Sequence, residues 1–275
     1  VEGALAQAWH IFARYWPAAF VAAGIWFVIA ALFHQRMINA ATGARSLTRK
    51  EAPELYNLLE NLCIERGMTM PRLNVIESRG LNAFASGIDD RSYTVTVTRG
   101  LIESLNTVEL RAVLAHELTH IRNRDVRLLI IAVIFVGIFS FFGELVFRNL
   151  FRAGRHAGGY SRGRNGDSRG GGAVILIAIA AIVIAYVLAL VIRFAISRRR
   201  EFLADAGAVD LTRDPDAMIS ALKKISGKSD IEAPGDVRQM CIDNDQPFAG
   251  IFMTHPSIEK RIAALVKYAG GDIAA

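Results

Sequence analysis

The sequence predicts an α+β fold, mainly helical, with transmembrane helices, and three observations carry that reading. Three long apolar runs stand out, at Pro17–Phe33, Leu128–Phe147 and Ala173–Ile192. A strictly alternating, β-branched segment, Ser92–Thr98 (SYTVTVT), and a companion at Arg72–Glu77 supply the strands. Between the strands and the second apolar run lies a helical pattern centred on Ala115-His116-Glu117-Leu118-Thr119-His120, around which the chain is organised.

Composition agrees with a membrane-associated chain. At 275 residues there is room for one soluble domain plus membrane segments. The hydrophobic fraction is 52% and the mean hydropathy +0.30, both high for a purely soluble protein. The net charge of +6 is carried largely by arginines beside the apolar runs. That pattern suits anionic lipid headgroups; no base-stacking motif accompanies it, so a nucleic-acid partner is not expected. Cys63 and Cys241 are too few and too far apart for a disulfide framework or a cysteine zinc site, and they fit a reducing compartment.

The elements follow in order. Pro17–Phe33 is 17 residues without a charge, flanked by Trp16 and Arg36, and reads as a short membrane span. The chain opens on Val1 rather than a methionine, which leaves room for a further membrane segment upstream. Thr48 and Glu51 form a capping box that predicts a helix burying Leu55, Leu58, Leu59 and Leu62 and stopping near Gly67. After the first strand, Leu81-Asn82-Ala83-Phe84-Ala85-Ser86-Gly87 is extended with small side chains. It reads either as an exposed edge that could pair with another peptide or as a buried hairpin strand.

Asn106 and Glu109 then form a capping box for a helix over 107–125. Within it His116 and His120 sit one turn apart in the pattern H-E-x-x-H, so both imidazoles can share one tetrahedral cation, with Zn²⁺ the usual occupant. Glu117 lies between them, placed to take a proton from water. Leu110, Leu114, Leu118 and Ile121 recur on another sector, predicting separate metal and packing faces.

Leu128–Phe147 and Ala173–Ile192 read as a transmembrane hairpin around a Gly/Arg-rich loop, 148–172. Two crossings return the chain to the side it left, so residues 34–126 and 194–275 can build one site. The expected divisions are a membrane segment at 1–33, a first catalytic part at 34–126, the hairpin at 127–193 and a second catalytic part at 194–275. The arginines around 36–50, 122–127 and 193–200 favour placing that site in the cytoplasm, with six loop arginines opposing. Just past the hairpin, Ser197-Arg198-Arg199-Arg200-Glu201-Phe202-Leu203-Ala204-Asp205 puts Glu201 and Asp205 on one helix face. Taken alone this is an ordinary juxtamembrane charge cluster. Joined to H-E-x-x-H it supplies the third ligand of a His₂Glu site, Glu201, and a carboxylate, Asp205, to hold a ligating histidine by its free N–H. Farther on, Asp214-Pro215 starts a helix running to about Gly227. Phe248, Ile251, Phe252 and Met253 read as a specificity pocket or as core.

H-E-L-T-H, R-R-R-E-F-L-A-D, L-N-A-F-A-S-G and Thr254-His255-Pro256-Ser257, in their order along the chain, resemble the HtpX family. These are bacterial membrane zinc metalloproteases of membrane-protein quality control, related to the CAAX prenyl proteases. The likeness runs from about residue 17 onward; one convincing apolar segment precedes the catalytic part where the family usually carries two. It implies a zincin-like metallopeptidase domain with one Zn²⁺ per chain on His116, His120 and Glu201. Glu117 is then the general base and Asp205 a supporting carboxylate. His255 and Arg261 match a pair that polarises the scissile carbonyl, although a salt bridge is the plainer reading of Arg261. Asn82 and Ala83 match the strand that holds substrate backbone.

The implied protein is a multi-pass enzyme of the bacterial inner membrane, with its site facing the cytoplasm and polypeptides, chiefly membrane proteins, as substrates. Its oligomeric state is not legible in the sequence. Arg111, Arg122, Asn123 and Arg124 argue against a site buried within the bilayer. The non-enzymatic alternative is an inactive membrane metal sensor or scaffold.

Overall fold

A computed structural model describes residues 2–138, 199–229, 241–242 and 256–272. The greater part of the expected hairpin, its loop 148–172, His255 and the pocket candidates Phe248, Ile251, Phe252 and Met253 lie outside the described residues.

Helix α1 (Glu2–Thr42) is longer than the expected Pro17–Phe33 span, because Pro17 sits inside the helix without ending it. Its stretch apolar enough to cross a bilayer is Phe20–Thr42, 23 residues of mean hydropathy 1.5. At 1.5 Å per residue this reaches about 35 Å, against a hydrocarbon core of about 30 Å. Phe20 is 73% and Leu32 72% exposed. In water such side chains would be a liability; in lipid they are solvated. Among the described residues no other helix has that length and composition.

The chain divides into two compact units, 1–32 with 132–192 and 33–131 with 193–275. The second holds every described strand and all the described candidate residues. Its sheet has the order β1 (Arg45–Ser46), β2 (Arg72–Ile76), β4 (Thr94–Thr98), β3 (Ala83–Ser86). β2 and β4 run parallel, with Arg72 opposite Thr94. β1 and β3 are antiparallel to their neighbours, with Ala83 opposite Val97. The alternation Thr94-Val95-Thr96-Val97-Thr98 is buried on both faces, so β4 is a central strand rather than a half-wet one. The Thr98 hydroxyl turns the chain into α3 (Arg99–Ser104) by accepting from Leu101 N.

Helix α2 begins at Pro53, not at the expected Thr48 cap, and runs to Arg66. Thr48 N–H and hydroxyl do donate to Glu51, at 2.9 and 2.8 Å, but this closes a turn ahead of the helix, since Pro53 favours the first helical position. Leu58 is only half-buried, while Leu55, Leu59 and Leu62 join the core.

Helix α4 (Thr107–Arg122) carries the His-Glu-x-x-His motif. Its capping box is complete: Asn106 accepts from Glu109 N at 2.9 Å, and Glu109 accepts from Asn106 N at 2.8 Å. The expected division into metal and packing faces gives way to burial on all sides, from Ala112 through Thr119. The helix is threaded among α2, β3, β4 and α7 (Pro215–Ile225), the last started by Asp214 accepting from Ala217 N. It also stops three residues early. Arg124 takes a left-handed conformation, φ 60°, and a new helix, α5, described over 125–138, begins. Helix α6 is described over 199–212 and α8 spans Ile258–Ala269.

Glu109 also ties α4 to α7. Its buried carboxylate accepts from Ser220 Oγ at 2.6 Å and from Lys224 Nζ at 2.8 Å. Burial opposes its ionisation, but Lys224, Ser220 and Asn106 outweigh that and hold the carboxyl below its usual range. A lowered folded pKa stabilises the protein above the unfolded value of about 4.3 and ceases to do so as pH falls through the folded value. Glu109→Gln should therefore cost about 1–3 kcal/mol at neutral pH and flatten the acid limb of the stability curve. Unfolding of wild type and variant from pH 7 down to pH 3 checks this; parallel curves would count against it.

Candidate metal centre

The H-E-x-x-H helix and α6 meet so that His116, His120 and Glu201 place one donor atom each within 4.8 Å of one another. His116 Nδ1 lies 2.9 Å from Asp205 Oδ1, and His120 Nδ1 lies 3.0 Å from Asp125 Oδ2. A carboxylate can only accept, so each Nδ1 carries the proton and each Nε2 keeps its lone pair. Those two Nε2 atoms face each other at 3.1 Å. Glu201 Oε1 stands 3.4 Å from His120 Nε2, and Oε2 3.6 Å from His116 Nε2.

Three electron-pair donors therefore converge, an arrangement that favours positive charge between them, and Arg261 Nη1 lies 3.5 Å from Glu201 Oε2 beside them. Donors bound to tetrahedral zinc lie roughly 3.3–3.5 Å apart, so the set fits such an ion. The same demand acts on protons. Burial opposes charge on His120, but Glu201 and the bond to Asp125 outweigh it and push the imidazole up to about 10. Metal and proton compete for one lone pair.

Glu117 is 2% exposed, and burial pushes its carboxyl above the usual range. Arg261 has no exposed surface. Its Nε donates to Asp205 Oδ2 at 2.9 Å and its Nη2 to Oδ1 at 2.6 Å, a two-point clamp. Its Nη1 donates to Ile242 O at 2.8 Å. Arg261 thus takes the buried salt bridge, and the carbonyl it meets is that of Ile242. Burial opposes charge on Asp205, yet Arg261 outweighs it and holds the carboxyl low.

β3 is a terminal strand of the sheet, but it is not the exposed edge that was one of its two readings: all four of its residues are buried. Asn82 O pairs with Thr98 N, so the main-chain groups of Ala83 point away from β4. Ala83 O accepts from Ile242 N at 2.9 Å. The buried Asn82 side chain accepts from Ala83 N and Ile242 N, each at 3.0 Å, and donates to Ser229 O at 2.8 Å. The backbone N–H and carbonyl of Ile242 are thus held between the strand edge and Arg261.

Residues 49–269 match the model of peptidase family M48. The chain belongs to that family. Membership makes this M48 chain a metalloprotease. Among its relatives, the protein named Protease HtpX homolog of Bacteroides fragilis is 47% identical over 254 residues, 89% of this chain and 77% of its own length. A Listeria monocytogenes protein of the same name is 35% identical over 256 residues, 90% and 84%. The HtpX resemblance drawn from the motifs is confirmed. The fold is that of the crystal structure of S. mikatae Ste24p, with TM-score 0.55 and 21% identity, covering 96% of this chain. The M48 chain spans 62% of the length of Ste24p.

Three features of the M48 site escaped the sequence. Asp125 has no role legible in the sequence, because an uninterrupted helix to 125 would carry it away from His120. Only the left-handed Arg124 bends it back. Ile242 reaches Ala83 through a segment with no sequence signature. Gly207 is the third. A Cβ there would lie 2.4 Å from Thr119 Cγ2 and 2.8 Å from its Oγ1, so α6 approaches α4 this closely only through glycine. Thr119 cannot swing aside cheaply, since its hydroxyl donates to Ala115 O at 2.8 Å. Gly207→Val should cost about 1–3 kcal/mol and weaken metal binding by moving Glu201 away from the histidines. Chelator competition measures this, and wild-type affinity in the variant would show that the close approach is not needed.

Proposed function

We propose that the protein is a zinc endopeptidase of the bacterial inner membrane, with its site facing the cytoplasm, cleaving misfolded or damaged membrane proteins. The observation that carries the chemistry is the convergence of His116 Nε2, His120 Nε2 and the Glu201 carboxylate. On this reading His116, His120 and Glu201 hold Zn²⁺, which when bound supplies Lewis-acid polarisation of water and of the scissile carbonyl. The Glu117 carboxylate takes the proton of the attacking water and delivers it to the leaving amine; a raised pKa suits both halves of that task. Asp205, clamped by Arg261, keeps the His116 ring in the tautomer and rotation that point Nε2 at the metal. His255 and Arg261 are the pair that polarises the scissile carbonyl of the substrate.

Asn82 and Ala83 hold the substrate backbone. The hold on Ile242, N–H on Ala83 and carbonyl on Arg261, supports this, since the backbone of one extended residue fits between those groups. The exposed apolar surface of Phe20–Thr42 supports the membrane setting, and the arginines beside the apolar runs support the cytoplasmic orientation.

The test is zinc content and proteolysis of an unfolded protein substrate by the detergent-purified wild type. One zinc per chain is expected, with cleavage lost on chelation and regained on adding zinc. A wild type that holds zinc and cuts neither soluble nor membrane substrates would favour the sensor or scaffold reading.

A further inference from the structure

His116 and His120 are both braced from behind, and the carboxylate of the second brace, Asp125, lies outside the motifs. His120 Nδ1 is 3.0 Å from Asp125 Oδ2, and the other oxygen of Asp125 accepts from Arg200 Nη1 at 2.5 Å. This repeats, in different residues, the order imidazole, carboxylate, guanidinium that runs from His116 through Asp205 to Arg261. Arg200 precedes Glu201, so one turn of α6 brings both a metal-facing carboxylate and the clamp on Asp125. Asp125 reaches His120 because the chain reverses at Arg124.

We propose that Asp125 and Arg200 are positioning residues for His120, setting its tautomer and ring rotation and thereby the affinity and geometry of the metal site. The proposal rests on the reading of His116, His120 and Glu201 as metal ligands. An imidazole whose Nδ1–H is held by a carboxylate presents Nε2 in one direction and is the more basic for it. Losing such a partner weakens metal binding by about 10–100-fold. Arg200 holds the carboxylate in place, and it links the helix carrying His120's partner to the helix carrying Glu201. The pair sits at the rim, with side chains 10% and 24% exposed. Water can therefore reach the gap left by a truncation, and the variants should fold.

The experiment measures Zn²⁺ affinity by chelator competition, and the visible spectrum of the Co²⁺-substituted protein, in the purified full chain. Asp125→Ala is expected to weaken zinc binding by about 10–100-fold and to alter the cobalt bands. Asp125→Asn should fall between it and wild type, since its amide oxygen still accepts but without the charge. Arg200→Met should weaken binding less than Asp125→Ala, and Arg200→Lys should restore much of the loss. Wild-type affinity and an unchanged spectrum in Asp125→Ala would overturn the proposal. If the metal-free variant then melted lower, the pair would be a plain salt bridge between helices. A wild type that bound no zinc would instead fell the metal-site reading itself.

Discussion

Glu117→Gln is expected to keep its zinc and to lose peptide cleavage by about 10²–10⁴-fold. The two side chains are nearly the same size, and the position is 2% exposed, so the amide should occupy the carboxylate's volume without moving α4. The three donors that converge on the metal are untouched. What disappears is the ability to accept a proton. Metal analysis and kcat/KM on the same preparation separate the two effects. A variant that retained zinc and cleaved at the wild-type rate would remove Glu117 from the mechanism. One that lost zinc as well would make Glu117 part of the metal's environment rather than its base.

The second large effect is expected at Arg261. Arg261→Met leaves the Asp205 carboxylate buried without its clamp, and breaking a buried pair from one side costs about 3–5 kcal/mol. The double variant Asp205→Asn with Arg261→Met removes both charges and should regain part of that stability, because no uncompensated charge remains. Zinc affinity should not recover with it, since the His116 ring has lost its anionic partner. Unfolding of the metal-free proteins, paired with chelator competition, gives both quantities in one double-mutant cycle. A single variant as stable as wild type would mean that the buried clamp contributes nothing. A double variant with wild-type zinc affinity would free His116 from any need of Asp205.

Much of this protein was legible in the chain because its information is local. The H-E-x-x-H spacing places His116 and His120 one turn apart on any helix, and the Asn106–Glu109 box fixes where that helix starts. Glu201 and Asp205 share a face for the same reason, and the alternation at 94–98 can only be a strand. Each depends on residues within a turn or two of one another.

What the sequence alone could not decide are relations between segments far apart. Burial of α4 on every side depends on what the sheet, α2 and α7 bring to it, so an amphipathic pattern misjudged it. Arg261 meets Asp205, 56 positions earlier, only through tertiary packing, which buries it fully. Asp125 gains its partner from a single left-handed residue, and Gly207 gains its necessity from a threonine on another helix. Local spacing determines which chemistry a segment can offer. Close packing between distant segments decides which atoms meet, and in this protein it decides which carboxylate steadies which histidine.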